Sequence, residues 1–274
     1  MTPHPSGCGD MSHDTIGSMT APRLVAFDLD DTLAPSKSSL DPRMLETFAA
    51  LLETVPVAVI SGGNFQQFEQ QLVTPLSQRA GLTLDDLHLL PTCGTRYYRW
   101  AGDDWALQYA EDLTDDEKAR ALAAVEAVAK DAGYWESETW GDILEDRGSQ
   151  ITFSALGQAA PVDVKKQWDP TGAKKDDLRR RVQAELPDLE VRSGGSTSVD
   201  ITRKGIDKAY GMQRLAAITG IALDDMLFVG DRLDPEGNDY PVKALGVPCH
   251  AVEGWEDTDA FLTELIPTLR VASV

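Results

Sequence analysis

The sequence predicts an α/β protein, with a Rossmann-like core of parallel strands and an α+β domain inserted between its two halves. Three observations carry that expectation. Short apolar or β-branched runs alternate with helical stretches from residue 23 to about residue 90, and the same alternation returns after residue 205. Between about residues 91 and 196 the texture changes, with Trp and Tyr gathered at 97–109 and at 134–140.

In the first half, Leu24-Val25-Ala26 opens a predicted strand over 24–29. Asp41-Pro42 then starts a helix, since Asp caps a first turn and Pro tolerates one, and Met44, Leu45, Phe48, Leu51 and Leu52 share a face. Residues 55–60 predict a second strand that ends in Ser61-Gly62-Gly63-Asn64 and leads into another helix. In the second half a helix runs through Ala209, Met212, Leu215 and Ala216, followed by a strand at 226–229, a short helix, a strand near 247–252 and a last helix from Asp257. Inside the insertion, Thr114-Asp115-Asp116-Glu117 has the form of a capping box, and 150–154 predicts a strand.

The expected boundaries are a core over 22–90 and 197–274 and an inserted domain over 91–196. Residues 1–21 mix His, Gly, Ser, Thr and Pro without an apolar core, so a disordered tail is expected, with Met11 or Met19 as an alternative start.

The net charge of -20 is spread along the 274 residues, which argues against nucleic acid as a partner because a phosphate backbone needs a basic face. No apolar run approaches membrane-spanning length. Cys8, Cys93 and Cys249 are odd in number and far apart, without metal or redox spacing, so a reducing, cytoplasmic setting is expected. A small anionic substrate would need local cations to override the global field. The oligomeric state stays open, a homodimer included.

The most informative stretch is Phe27-Asp28-Leu29-Asp30-Asp31-Thr32-Leu33, which sets carboxylates at the end of a buried strand. Burying them uncompensated costs several kcal/mol each, roughly, so a hard divalent metal is the expected partner. Ligands in open parallel sheets bind beyond the carboxyl ends of the strands. Asp28 and Asp30, Ser61 and Gly62, and Gly230-Asp231 all follow predicted strands, and Lys208 lies in the first turns of a helix.

Phosphoryl transfer through an aspartate wants this set. A carboxylate about 4 Å from a phosphate dianion meets a repulsion of about 8 kcal/mol at an effective dielectric of about 20, equivalent to about a million-fold in rate. Mg2+ on Asp28, Asp231 and nearby oxygens, together with Lys208, offsets that repulsion. Ser61 and the amides of its turn can hold phosphoryl oxygens, and Asp30 is placed to protonate a leaving oxygen.

With these motifs in order, the chain resembles the haloacid-dehalogenase superfamily: Asp28-Leu-Asp30-Asp-Thr32-Leu, Ser61-Gly62-Gly63, Lys208, and Gly230-Asp231 with Asn238-Asp239 beyond. The resemblance implies a phosphotransferase with a large α+β cap. Asp28 is then the nucleophile, Asp30 the acid/base, and Asp28, the Asp30 backbone carbonyl and Asp231 the metal ligands. Gly194-Gly195-Ser196-Thr197-Ser198-Val199-Asp200, Gly205-Ile206-Asp207-Lys208 and the stretch from Gly230 to Tyr240 are similar to eukaryotic-type alpha-phosphomannomutases and their bacterial relatives. That similarity implies substrate contacts or bracing from Ser198 and Asp200, and support of the metal by Asn238 and Asp239. Arg147-Gly148-Ser149-Gln150-Ile151-Thr152-Phe153 matches the cap strand, with Arg147 a candidate substrate residue.

The chain then departs from the mutases. They follow that strand with an arginine, whereas Ser154 stands here and no arginine occurs through Pro161. A mutase needs cap cations to hold a bisphosphate by its distal group while the sugar turns. The expectation is therefore a Mg2+-dependent phosphatase acting on a small phosphorylated sugar, with phosphomannomutase as the alternative and Arg147, Lys165 or Lys166 as substitute cations. A receiver-like phosphoacceptor ranks third.

Blander roles fit other residues. Asp31 reads as a turn residue, Arg179-Arg180-Arg181 as a solvated helix face, and Trp100, Trp105, Trp135, Trp140 and Trp168 as cap core and rim. His4, His13, His88 and His250 show no metal-ligand pattern, and Asp239 reads equally as a helix cap.

Overall fold

The computed structural model describes residues 21–272. The expected tail, with His4, Cys8, Met11, His13 and Met19, lies outside the described residues apart from Ala21.

The chain enters through β1 (Leu24–Phe27), α1 (Pro42–Leu52) and β2 (Val57–Ile60), then α2 (Phe65–Phe68), a π-helical turn (Glu69–Val73) and α3 (Thr74–Ser77). Next come β3 (Leu87–Leu90), β4 (Arg96–Trp100) and β5 (Trp105–Ala110). The insertion follows as α4 (Asp115–Asp131), β6 (Leu144–Asp146), β7 (Ile151–Ser154), α5 (Val162–Trp168), α6 (Ala173–Glu185), β8 (Leu189–Ser193) and β9 (Ser198–Arg203). The chain returns through α7 (Lys208–Thr219), β10 (Met226–Gly230), α8 (Tyr240–Ala244), β11 (Cys249–Ala251) and α9 (Trp255–Ala272).

The larger sheet has the order β11-β10-β1-β2-β3-β4-β5, parallel from β11 to β3 and antiparallel through β4 and β5. Every residue of β1, β2, β3 and β10 is buried, which a parallel sheet covered on both faces requires. The alternation of β1 divides the core. Val25 and Phe27 pack with Met44 and Phe48 of α1 and Leu262 of α9, whereas Leu24 and Ala26 pack with Met212 and Leu215 of α7 and Val242 of α8. Each such large side chain contributes about 1.5–3 kcal/mol on burial. The α1 start is as the sequence predicts, with the Asp41 carboxylate accepting from the Arg43 N–H and Pro42 in the first turn.

The smaller sheet, β6-β7-β9-β8, is antiparallel and packs Phe153, Val199 and Ile201 against Ala121 and Val125 of α4 and Leu178 and Val182 of α6. The predicted capping box is present, with Thr114 accepting from the Glu117 N–H and Glu117 from the Thr114 N–H. Glu117 also holds Arg203, at 2.7 Å, tying the way into the insertion to the way out.

The sheets do not follow the boundaries expected at residues 91 and 197. β4 and β5 extend the core sheet, and their aromatic residues mark an antiparallel edge hairpin rather than a new domain. Tyr97, for example, packs with Ile60 and Leu90 of the core. β9, expected in the core, is the central partner of β7 and β8. Among the described residues no helix is long and apolar enough to cross a membrane.

Candidate active site

Three strands of the larger sheet end, and one helix begins, along one edge. Asp28 follows β1 and is 4% exposed, Ser61 follows β2, Asp231 follows β10, and Lys208 is the first residue of α7 at 1% exposed. Close backbone packing seats Lys208. A Cβ on Gly211, one turn along α7, would lie 2.9 Å from the Cys93 carbonyl oxygen, so only glycine lets this helix approach the end of β3.

Lys208 Nζ stands 2.7 Å from Asp28 Oδ1 and 2.5 Å from Asp239 Oδ1. Asp28, Asp231 and Asp239 each offer a carboxylate oxygen, and these oxygens all lie within 4.8 Å of one another. Burial pushes the Asp28 carboxyl well above its usual range; Lys208 opposes this, while Asp239 and Asp231 add to it. Burial and the Asp239 charge likewise raise Asp231. Burial works against the Lys208 ammonium, but Asp239 and Asp28 overcome it and hold Lys208 protonated above its ordinary value.

Three carboxylates facing one ammonium leave two negative charges, which one divalent cation would balance, and oxygen donors suit Mg2+. Asp239 Oδ1 is taken by Lys208, and Oδ2 accepts from the Arg232 N–H at 3.0 Å. Asp239 is thus a brace, and the helix-cap role is not observed, since its carboxylate makes no cap bond to α8. Asn238 beside it is exposed.

Ser61 Oγ accepts from the Gly63 N–H at 3.1 Å, and Asn64 caps α2 by accepting from the Gln67 N–H at 2.9 Å. The Gly62 carbonyl accepts from Arg147 Nη1 at 2.8 Å, which docks the inserted domain onto this loop. Arg147 Nη2 also reaches Glu145 at 2.8 Å. Asp200 on β9 accepts from Thr152 Oγ1 at 2.7 Å; burial pushes its carboxyl up, and the Arg147 charge pulls against that. Ser198, also on β9, sits opposite Ser154 at the end of the β7–β9 ladder.

Asp30 is not drawn into the Asp28–Asp231–Asp239 group. Its carboxylate accepts from Gln67 Nε2, Gln71 Nε2 and the Lys37 N–H at 2.8, 3.0 and 2.8 Å. Sequence reasoning missed all three of these partners. Lys37 reaches across from the core, its Nζ bonding Gln158 O at 3.1 Å and Oε1 at 2.5 Å, and Lys165 Nζ meets the same carbonyl at 2.9 Å. Burial and then Lys37 lower Lys165 to about 8, and burial and then Arg147 lower Lys37. Arg147 Nε and Gln158 Nε2 are buried without a hydrogen-bond partner. Lys37 is thus within electrostatic reach of Lys165, Arg147 and Asp30, Lys165 also of Asp30, and Arg147 and Gln158 each carry one unsatisfied donor.

Asp31 is the turn residue expected, at φ 61° with Oδ1 accepting from the Ser36 N–H. Arg179, Arg180 and Arg181 pair with Asp176, Asp177 and Asp131 on the surface. Trp100 and Trp105 pack edge to face with each other against the core rather than in the cap, and Trp135 and Trp168 pack in the inserted domain.

The model of the eukaryotic phosphomannomutase family matches residues 44–268, a stretch that includes Ser61, Lys208, Asp231 and Asp239. The probable phosphomannomutase of Caenorhabditis elegans is 25% identical over 269 residues, covering 92% of this chain and 100% of that protein. Among solved structures, an N-terminally truncated IMP-nucleotidase of Plasmodium falciparum superposes with a TM-score of 0.65 at 15% identity, over 89% of this chain and 70% of that one. A haloacid dehalogenase-like hydrolase of Bacteroides thetaiotaomicron does so with a TM-score of 0.58 at 14% identity, over 89% and 99%. The two structures share the fold, a haloacid-dehalogenase-like core with an insertion, and all these proteins are enzymes by name. Sequence similarity running through the core and the insertion alike narrows this further: the chain belongs to the eukaryotic phosphomannomutase family.

Proposed function

We propose that the chain is a sugar phosphomutase, moving a phosphoryl group between the 1- and 6-positions of a hexose such as mannose by way of an aspartyl phosphate. The observation that carries this reading is the group of Lys37, Lys165 and Arg147, the two lysines within electrostatic reach of Asp30, with the buried donors Arg147 Nε and Gln158 Nε2 lacking acceptors. A distal phosphate supplies those acceptors and repays the cost of three clustered cations.

Asp28 attacks the phosphorus with the oxygen that Lys208 does not hold. As the bond from phosphorus to the sugar oxygen breaks, Asp30 gives that oxygen a proton; it takes one from the second hydroxyl when the phosphoryl group is returned. Lys208 offsets the charge that builds during attack, and Ser61 and its loop hold phosphoryl oxygens. Mg2+, with Asp28 and Asp231 as the residues that would hold it, supplies further neutralisation of those oxygens. Asp239 keeps Lys208 in place, Ser198 and Asp200 face the sugar from β9, and Asn238 supports the metal loop. Free thiols at Cys93 and Cys249 fit a reducing, cytoplasmic setting.

The test is incubation with mannose 1-phosphate and a hexose bisphosphate activator, following isomerised sugar and free phosphate together. Isomer in excess of free phosphate is the expected result, and phosphate release without isomer refutes the mutase. Hydrolysis, ranked first from sequence alone, is the less well supported reading. One observation still favours it: the one cation from residue 154 to 165 is Lys165 rather than an arginine, and an ammonium cannot clamp a phosphate bidentately while the sugar turns.

A further inference from the structure

Three N–H donors converge on Asp30, and two of them are side-chain amides from the helical segment that follows the Ser61 loop. Gln67 Nε2 also approaches Gln71 Oε1 at 3.3 Å, so the amides brace each other. Gln71 is 1% exposed and lies in the π-helical turn, a wide turn that recurs at functional sites. An amide buried this deeply costs free energy unless its bonds are made, and an apolar residue would pack there without that cost. Gly63 leaves room for the arrangement, because a Cβ there would fall 2.3 Å from Gln67 Oε1.

We infer that Gln67 and Gln71 are positioning residues that hold the Asp30 carboxylate in one orientation and leave Oδ2 as the oxygen that carries the proton. A carboxylate offers about four lone-pair sites. Oδ1 accepts from Gln71 and from the Lys37 N–H, whereas Oδ2 accepts from Gln67 alone, so the open site is on Oδ2. In the forward step the Oδ2 proton passes to the leaving oxygen as its bond to phosphorus breaks. In the return step Oδ2 takes the proton of the incoming hydroxyl. The inference rests on the acid/base role proposed for Asp30.

The test compares phenyl phosphate, whose leaving group needs a proton, with p-nitrophenyl phosphate, whose leaving group does not. The double variant Gln67→Met/Gln71→Met keeps side-chain length and removes both donors. Its kcat on phenyl phosphate is expected to fall about 100-fold, with less than about a 3-fold change on p-nitrophenyl phosphate. Equal losses on both substrates would overturn the inference. If the double variant does not fold, Gln67→Met alone, at a partly exposed position, carries the test with an expected loss of about 10-fold. Asp30→Asn is measured beside them. If it shows no preference between the substrates, the acid/base reading fails; if it does and the glutamine variants do not, only the present inference fails.

Discussion

Lys208 Nζ lies 2.5 Å from Asp239 Oδ1, closer than its 2.7 Å to Asp28, so the ammonium facing Asp28 is anchored by a second, fully buried carboxylate. Together with Asp231 the group sets three carboxylates against one ammonium, and Mg2+ held there would stabilise the folded state. Chelation should lower the melting temperature, and Mg2+ at about 100 times its dissociation constant should return about 2.7 kcal/mol. Calorimetric scans with and without Mg2+ test this. Identical scans would remove the metal from the site.

Asp28→Asn separates activity from stability. Burial already holds the Asp28 carboxyl well above its usual range, so a neutral isostere relieves repulsion from Asp239 and Asp231. The metal-free variant should melt no lower than the metal-free parent, while turnover and acid-stable label from phosphorylated substrate are lost. Turnover within about 10-fold of the parent would refute Asp28 as the nucleophile.

These two expectations involve residues that could be read from the sequence, and the reason is physical. Apolar runs end where the sheet ends, so Asp28, Ser61 and Asp231 had to share an edge once the strands were parallel, and Lys208 starts a helix on that edge. The surroundings of Asp30 were not readable in the same way. Gln67 and Gln71 are two glutamines in a polar helical stretch, and Lys37 sits in an irregular turn with φ 60°, so no periodicity points any of them at the site. The aromatic residues of β4 and β5 misled for a related reason: texture reports how a surface is packed, and only pairing reports which sheet a strand joins.

His88 gives the fold an acid-sensitive point away from the site. It is 4% exposed on β3, with Nδ1 2.9 Å from the Tyr97 hydroxyl, and burial and then the Arg99 charge lower its pKa from 6.5 to about 3. Between those values the unfolded chain binds a proton that the folded one does not. The neutral histidine therefore contributes nothing extra above pH 6.5, and stability is lost as pH falls from 6.5 towards 3, by about 4 kcal/mol at the lower limit. His88→Gln should flatten this part of the curve in urea titrations at stepped pH. A slope unchanged between the two proteins would clear His88.

The two lysines that meet at the Gln158 carbonyl, one from the core and one from the inserted domain, are expected to act on binding rather than on attack. Lys37 and Lys165 both hold the Gln158 carbonyl, and neither approaches the carboxylate group around Lys208 through any observed bond. With the distal phosphate proposed above, removing one would delete a charge-assisted bond, a loss of about 1.5–3 kcal/mol, or about 10- to 100-fold. Lys37→Ala and Lys165→Ala should therefore raise KM for a hexose bisphosphate by that factor. For p-nitrophenyl phosphate, which has no second phosphate, KM should stay within about 3-fold. Because Lys37 lowers the pKa of Lys165, deleting Lys37 should let Lys165 rise above about 8 and meet the phosphate more fully charged, so the double variant should lose more than the two single losses combined. Steady-state kinetics on the two single variants and the double variant decides the matter: equal effects on both substrates would place these lysines in the fold rather than at a second phosphate.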